Sequence, residues 1–152
     1  MAAAPSCRPS GDSLTRKINT RCGKQMAASG AAGSPGRLVQ YVVVRADLVH
    51  KLSWPLGAVI TQACHAATAA VHLHYADRDT QSYLAELDSM HKVVLAAPDE
   101  AALSGLSESL TQAGVAHKLW IEQPENMATC LALKPYPKEM VQPLLRNFKL
   151  FK

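Results

Sequence analysis

No apolar run in this 152-residue chain approaches the ~20 residues that a membrane helix needs. The longest strand-like run, Leu38 to Val44, is broken by Gln40. The four cysteines (Cys7, Cys22, Cys64 and Cys130) have no zinc-binding spacing, and nothing ahead of them reads as a secretory signal. Reduced thiols in an intracellular protein are therefore expected, with Cys64 and Cys130 as small core residues. There is no Walker loop, no glycine-rich dinucleotide turn, no Gly-x-Ser-x-Gly elbow and no His-Glu-x-x-His helix. These gaps set aside the nucleotide-binding, serine-hydrolase and zinc-protease classes that those motifs mark. His65, His72 and His74 lie close in sequence, but no third ligand with a firm spacing joins His65 and His72, so no metal site is expected.

A basic domain is also missing, although the net charge is +4. Residues 1–37 carry six Lys/Arg against Asp12 alone, whereas residues 38–152 carry ten against eleven Asp/Glu. The excess belongs to the leader, and the near-neutral remainder shows no broad nucleic-acid footprint. One local excess stays: Lys134, Lys138, Arg146, Lys149 and Lys152 against Glu139. It suits either a phosphate contact or a solvated end. Residues 1–37 are rich in Ala, Ser, Gly, Pro and Arg, lack apolar periodicity, and are read as disordered. A dispensable tail on a cytoplasmic protein is the expectation. Mitochondrial import through this Arg- and Ser-rich leader is the alternative.

The domain, residues 38–152, is long enough for one real core. Its centre is the stretch from Trp54 to Tyr75. Ser53 is the expected cap, and Pro55 suits a first turn. At 3.6 residues per turn, Val59, Ile60, Ala63, Cys64, Ala67, Ala70 and Val71 form one broad apolar side, to be buried through Ile60, Cys64, Ala67 and Val71. Thr61, His65, Thr68 and His72 stack opposite, with Gln62 at the edge. That stripe is either an ordinary solvated face or a site. Ahead of it, Leu38 to Arg45 reads as a strand whose Val42-Val43-Val44 suits burial on both faces.

Thr80 to Asp88 is expected to be a short helix. Lys92 to Ala96 is a second strand, built on Val93-Val94-Leu95, and central like the first. Pro98-Asp99-Glu100 opens a helix carrying Leu103, Leu106 and Leu110, which Gly114 ends at C′. His117 to Glu122 and Met127 to Leu133 are two further strands around a Gln123–Asn126 turn. Lys138 to Asn147 is a last helix, interrupted at Pro143. The expected fold is α/β: a small mixed four-stranded sheet with helices on both faces. From the residues alone, the chemistry candidates are His65 with its stripe, then Asp47 and Glu122 at strand ends.

Several segments together resemble the type 2 peptidyl-tRNA hydrolases. They are Gln40–Leu48 (QYVVVRADL), Gly57–Ala66 (GAVITQACHA), Lys92–Leu95, Thr129–Pro135 (TCLALKP) and Phe148–Leu150. Glu122–Cys130 looks like a divergent branch of that family. The resemblance runs from about Val39 to the C-terminus. It implies an α/β/α domain that hydrolyses the ester between a peptide and tRNA with neither metal nor organic cofactor. Carried over by residue, His65 is the proton acceptor or water-orienting group and Gln62 a donor to the carbonyl. Glu122 stands for the family aspartate, and Thr129 lines the cleft. Thr61, Asp47, Lys51 and Lys134 are the expected substrate-binding residues, with Lys51 partly replacing a family lysine. That lysine, at the start of the central helix, is absent here, where Pro55-Leu56-Gly57-Ala58 stands. The expected partners are a tRNA carrying a peptide and a second copy of the chain, with no membrane.

Overall fold

The computed structural model describes residues 36–152, so the expectations for the leader, Cys7 and Cys22 fall outside the described residues, Gly36 and Arg37 apart. The chain enters through β1 (Leu38–Arg45), which is buried along nearly its whole length because it is sandwiched inside the sheet. A single turn, α1 (Asp47–His50), replaces the plain connection expected after it. Next come α2 (Leu56–Leu73), α3 (Arg78–Ala85), a 3₁₀ turn at Leu87–Ser89 and β2 (Lys92–Ala97). Then follow α4 (Glu100–Gln112), β3 (His117–Glu122), β4 (Met127–Leu133), β5 (Tyr136–Pro137), α5 (Lys138–Leu145) and β6 (Lys149–Leu150). The sheet order is β3-β4-β1-β2-β6, with β5 paired to the start of β1. β1 and β2 run parallel, and β4 runs antiparallel to β1.

The fold is α/β as expected, but the sheet has six strands rather than four. The added pair, β5 and β6, are two residues each, too short for an alternation signal. Alternate residues of β1 serve two cores. Val39, Tyr41 and Val43 join Leu103, Leu106, Leu110, Val141 and Leu145 on the α4–α5 side. Val42 and Val44 join Val59, Ala66, Ala70, Cys130 and Ala132 on the α2 side. β2 is less central than expected: Val94 is exposed, and on the side away from β1 only the short β6 flanks the strand.

α4 follows the sequence closely. Asp99 accepts the Ala102 N–H, and Gly114 sits at φ +67, the left-handed conformation a C′ residue adopts. α3 starts two residues earlier than expected, because Asp77 accepts the N–H groups of Asp79 and Thr80. α5 continues through Pro143 without a break.

α2 corrects three expectations. It is shorter than Trp54–Tyr75. Ser53 does not cap it: this residue sits at φ 56 and Pro55 holds the N-cap with no side-chain acceptor. The phase also differs. Val59, Gln62, Ala66 and Ala70 are the buried residues, while Ile60 is 55% exposed, Cys64 is exposed, and Ala67 and Val71 are half-buried. Hydropathy selected the flank with the larger apolar side chains. Packing selected a flank with Ala66 and Ala70 beside Val59 and Gln62, because alanine lets the helix axis approach the sheet. By length and composition α2 is apolar enough to cross a membrane, yet here it packs on the sheet as a core helix of the domain.

The two phasings separate in a stability measurement. Ala66→Leu should lower stability by about 1–3 kcal/mol through overpacking. Ile60→Thr should stay within about 0.5 kcal/mol, as surface changes do. Chemical denaturation that reversed this order would restore the hydropathy phasing.

Candidate active site

The C-terminal end of β1, the start of β4 and the end of β3 lie at one end of the sheet, under the first half of α2. The β3–β4 pairing is regular from His117↔Leu133 to Trp120↔Cys130. It then skips, and Ile121 opposes Ala128. Thr129 is the extra residue of this β-bulge. A bulge lets successive side chains leave the sheet on one side. Accordingly, Thr129 and Cys130 both serve the α2 face, whereas Ala128 serves the other.

Thr129 donates its hydroxyl to Gln62 Oε1 at 2.9 Å, and both residues are buried. The acceptor of the Gln62 amide is thus engaged, which leaves its NH₂ as the group to offer. One turn on, His65 is exposed and stacks on Trp120, with ring centroids 4.7 Å and planes 18° apart. Trp120 in turn donates its indole N–H to Glu122 Oε2 at 2.9 Å. Four expected residues, Gln62, His65, Glu122 and Thr129, are therefore joined through two short chains of contacts. Trp120 completes one of them and was not singled out in sequence. The available signal was its position two residues before Glu122, on the same side of β3.

The four expected substrate-binding residues are placed differently. Asp47 is buried and faces inward. Arg45 Nε and Nη2 bind its two oxygens at 3.0 and 2.8 Å. Arg45 Nη1 reaches Glu100 Oε2 and the Ala128 carbonyl, each at 2.9 Å. Glu100 also accepts the Ala128 N–H at 3.2 Å. Lys134 is buried at the far end of α2. It pairs with Asp77 at 2.8 Å and lies 3.9 Å from the Tyr136 ring centroid. Thr61 is exposed and donates to the Gly57 carbonyl. Lys51 is exposed just after α1. Asp47 and Lys134 thus stand apart from the Gln62–His65 cluster, each held by its own ion pair.

Cys130 is buried and its thiol is pushed up to about 12, chiefly by desolvation, so it is a core residue as expected. Cys64 is not. It lines an apolar groove of about 640 Å³ on the opposite flank of α2, with Leu56, Ile60, Val71, Val94 and Phe151. Among the lining residues only Lys92, His72 and Thr68 have polar side chains besides the Tyr75 hydroxyl and the Cys64 thiol. Without a carboxylate there, the groove has less to offer acid–base chemistry than the Gln62–His65 flank. Among the described residues, no three His, Cys, Asp or Glu are grouped to hold a metal ion.

A sequence model described as peptidyl-tRNA hydrolase PTH2 matches residues 38–151. This chain belongs to the PTH2 family. Human and mouse proteins, each named "Putative peptidyl-tRNA hydrolase PTRHD1", are 57% and 55% identical over 130 residues, 85% of this chain and 91% of theirs. A peptidyl-tRNA hydrolase of Thermococcus sibiricus is 31% identical over 116 residues, 73% of this chain and 95% of its own. The PTH2-family chain thus sits in a divergent branch beside the two mammalian proteins.

The Asp47–Arg45 pair gives a pH dependence. The Arg45 hydrogen bonds hold the Asp47 carboxyl below the usual carboxylate range. In the unfolded chain it regains a value of about 3.9. The stabilisation is complete above that value and is lost as pH falls through the lower folded one. Asp47→Asn should cost about 3 kcal/mol at neutral pH, the low end for breaking a buried pair, since Arg45 keeps Glu100. It should also flatten the loss of stability below about pH 4. Parallel acid denaturation curves for the two proteins would show that the pair adds nothing.

Proposed function

We propose that this chain is a peptidyl-tRNA hydrolase that cleaves the ester between a peptide, or N-blocked aminoacyl group, and the terminal ribose of tRNA. The observation that carries the reading is the buried Thr129–Gln62 hydrogen bond one helical turn from exposed His65. Ester hydrolysis needs a positioned water, a proton acceptor and a donor to the developing oxyanion. His65, through a ring-edge nitrogen, takes the proton as water oxygen attacks the carbonyl carbon. The Gln62 NH₂, held by Thr129, donates to the carbonyl oxygen. The tetrahedral intermediate collapses with release of the ribose oxygen, which recovers the proton. Glu122 acts through Trp120, fixing the surface on which His65 rests. Lys51 supplies a cation for phosphate. Lys134 and Asp47 are structural in this reading, being tied to Asp77 and Arg45.

A second reading has its own observation. At the start of α2, where the resembling family keeps lysine, stand Leu56, 60% exposed, and half-buried Ala58. In that reading the chain is a catalytically weakened or inactive family member that acts as an RNA- or protein-binding module.

Turnover of N-blocked aminoacyl-tRNA by the purified protein, against a buffer control, separates the two. His65→Ala should slow hydrolysis about 10²–10⁴-fold, the range for losing a general acid–base group, with thermal unfolding unchanged. Ala58→Lys should raise the rate. An inactive wild type with an active Ala58→Lys variant would establish the binding module.

We place this work in the cytoplasm. Residues 1–37 fused to a fluorescent reporter should leave it cytosolic, and mitochondrial fluorescence would establish the import alternative.

A further inference from the structure

The His65–Trp120 stack has more form than a proton acceptor needs. Trp120 is the inner ring. It packs against the apolar cluster that includes Cys130 and Ala132, and Glu122 holds its indole N–H. His65 is the outer ring and is exposed. Trp120 covers one face of the imidazole, so the exposure that remains lies on the second face and the ring edges. A lone histidine on a helix surface samples several rotamers. This one is laid flat against a supported indole, and it presents a firm aromatic plane to solvent.

A flat exposed aromatic plane recognises another flat π-face. In RNA that means an unpaired base, because single-stranded ends stack their bases on aromatic side chains. The place is apt. Gln62 precedes His65 by three residues, about 4.5 Å along the helix axis, so a base on His65 has its own ribose beside the Gln62 amide. Lys118 lies two residues before Trp120 on β3 and leaves the sheet on the same side, half-exposed. It offers a cation toward the phosphates leading to that nucleoside.

We propose that His65, backed by Trp120, is the stacking platform for the 3′-terminal adenine of the tRNA. The proposal rests on the reading that the substrate ester sits on that adenosine. Stacking uses the ring face, and proton transfer uses the ring edge, so one imidazole serves both.

The test is binding of an unacylated RNA hairpin with a single-stranded 3′ CCA end, compared with the same hairpin whose terminal nucleotide is abasic. Trp54→Phe leaves Trp120 as the chain's single indole, so its fluorescence reports occupancy. Removing the base should weaken binding about 5- to 150-fold, the range for one stacked base. His65→Ala should erase that difference, and His65→Phe should keep it while abolishing the ring-edge proton transfer. Equal binding of the two hairpins would overturn the platform, as would a His65→Phe protein that behaves like His65→Ala. The two readings fail separately. Base-dependent binding without turnover of N-blocked aminoacyl-tRNA sustains the platform and removes the hydrolase. Turnover by a protein indifferent to the terminal base removes the platform and keeps the hydrolase.

Discussion

A guanidinium left 4% exposed has to find a partner for nearly every N–H, because desolvating an unpaired charge costs several kcal/mol. Arg45 meets this demand by reaching three elements besides its own: Asp47 on α1, Glu100 on α4 and the Ala128 carbonyl on β4. Each partner fixes the end of one element, so the chain ends that border the site are located relative to one another by a single side chain. Glu100 strengthens the hub by accepting the Ala128 N–H as well. The backbone on both sides of Ala128 is thereby anchored where the bulge begins. With Ala128 tied down, the extra residue falls at Thr129 and its hydroxyl meets Gln62.

Burying Gln62 on the sheet-facing side of α2 follows the same logic. A buried amide without a partner costs about 1–3 kcal/mol, and Thr129 supplies one. Gln40 repeats the device farther along the helix. It donates to the Ala67 carbonyl at 3.0 Å and the Leu133 carbonyl at 3.2 Å, while Lys92 donates to its side-chain oxygen. Two glutamines thus fix the helix over β1 and β4 where alanines supply little side-chain interlock. Small residues bring the helix close, and the amides set its register.

Legibility in the sequence divides along these lines. β1, α4 with its Asp99 cap and Gly114 terminus, and the order of the long elements follow from local patterns and were readable. The buried phase of α2 was not. Periodicity counts hydrophobicity, and the buried side of this helix holds alanines and a glutamine whose partner lies 67 residues away. His65 stood out on its polar stripe, whereas Gln62, read as the edge of that stripe, gained a role only because its segment resembles a family. Trp120 passed as one more strand residue, since nothing local says that an indole will lie under an imidazole from α2. Asp47 was read as a substrate group from its place at a strand end, and Lys134 from the local basic excess it opens. Their partners, Arg45 and Asp77, are found only by folding.

The three sides of α2 explain why its hydropathy misleads. One side, small and amide-bearing, meets the sheet. A second carries His65 over Trp120. The third, with Ile60, Cys64 and Val71, lines the apolar groove beside Val94 and Phe151. A helix that only covered a sheet would concentrate its apolar bulk inward, and its moment would report the buried face. Here the apolar bulk is displaced onto a flank, and the inward face is given to close packing. That displacement lets a polar amide sit at the helix–sheet contact, where Thr129 holds it rigid. A glutamine on the solvent side of the same helix would lose that fixed geometry, and preorganisation is what gives a hydrogen-bond donor its value against a developing oxyanion.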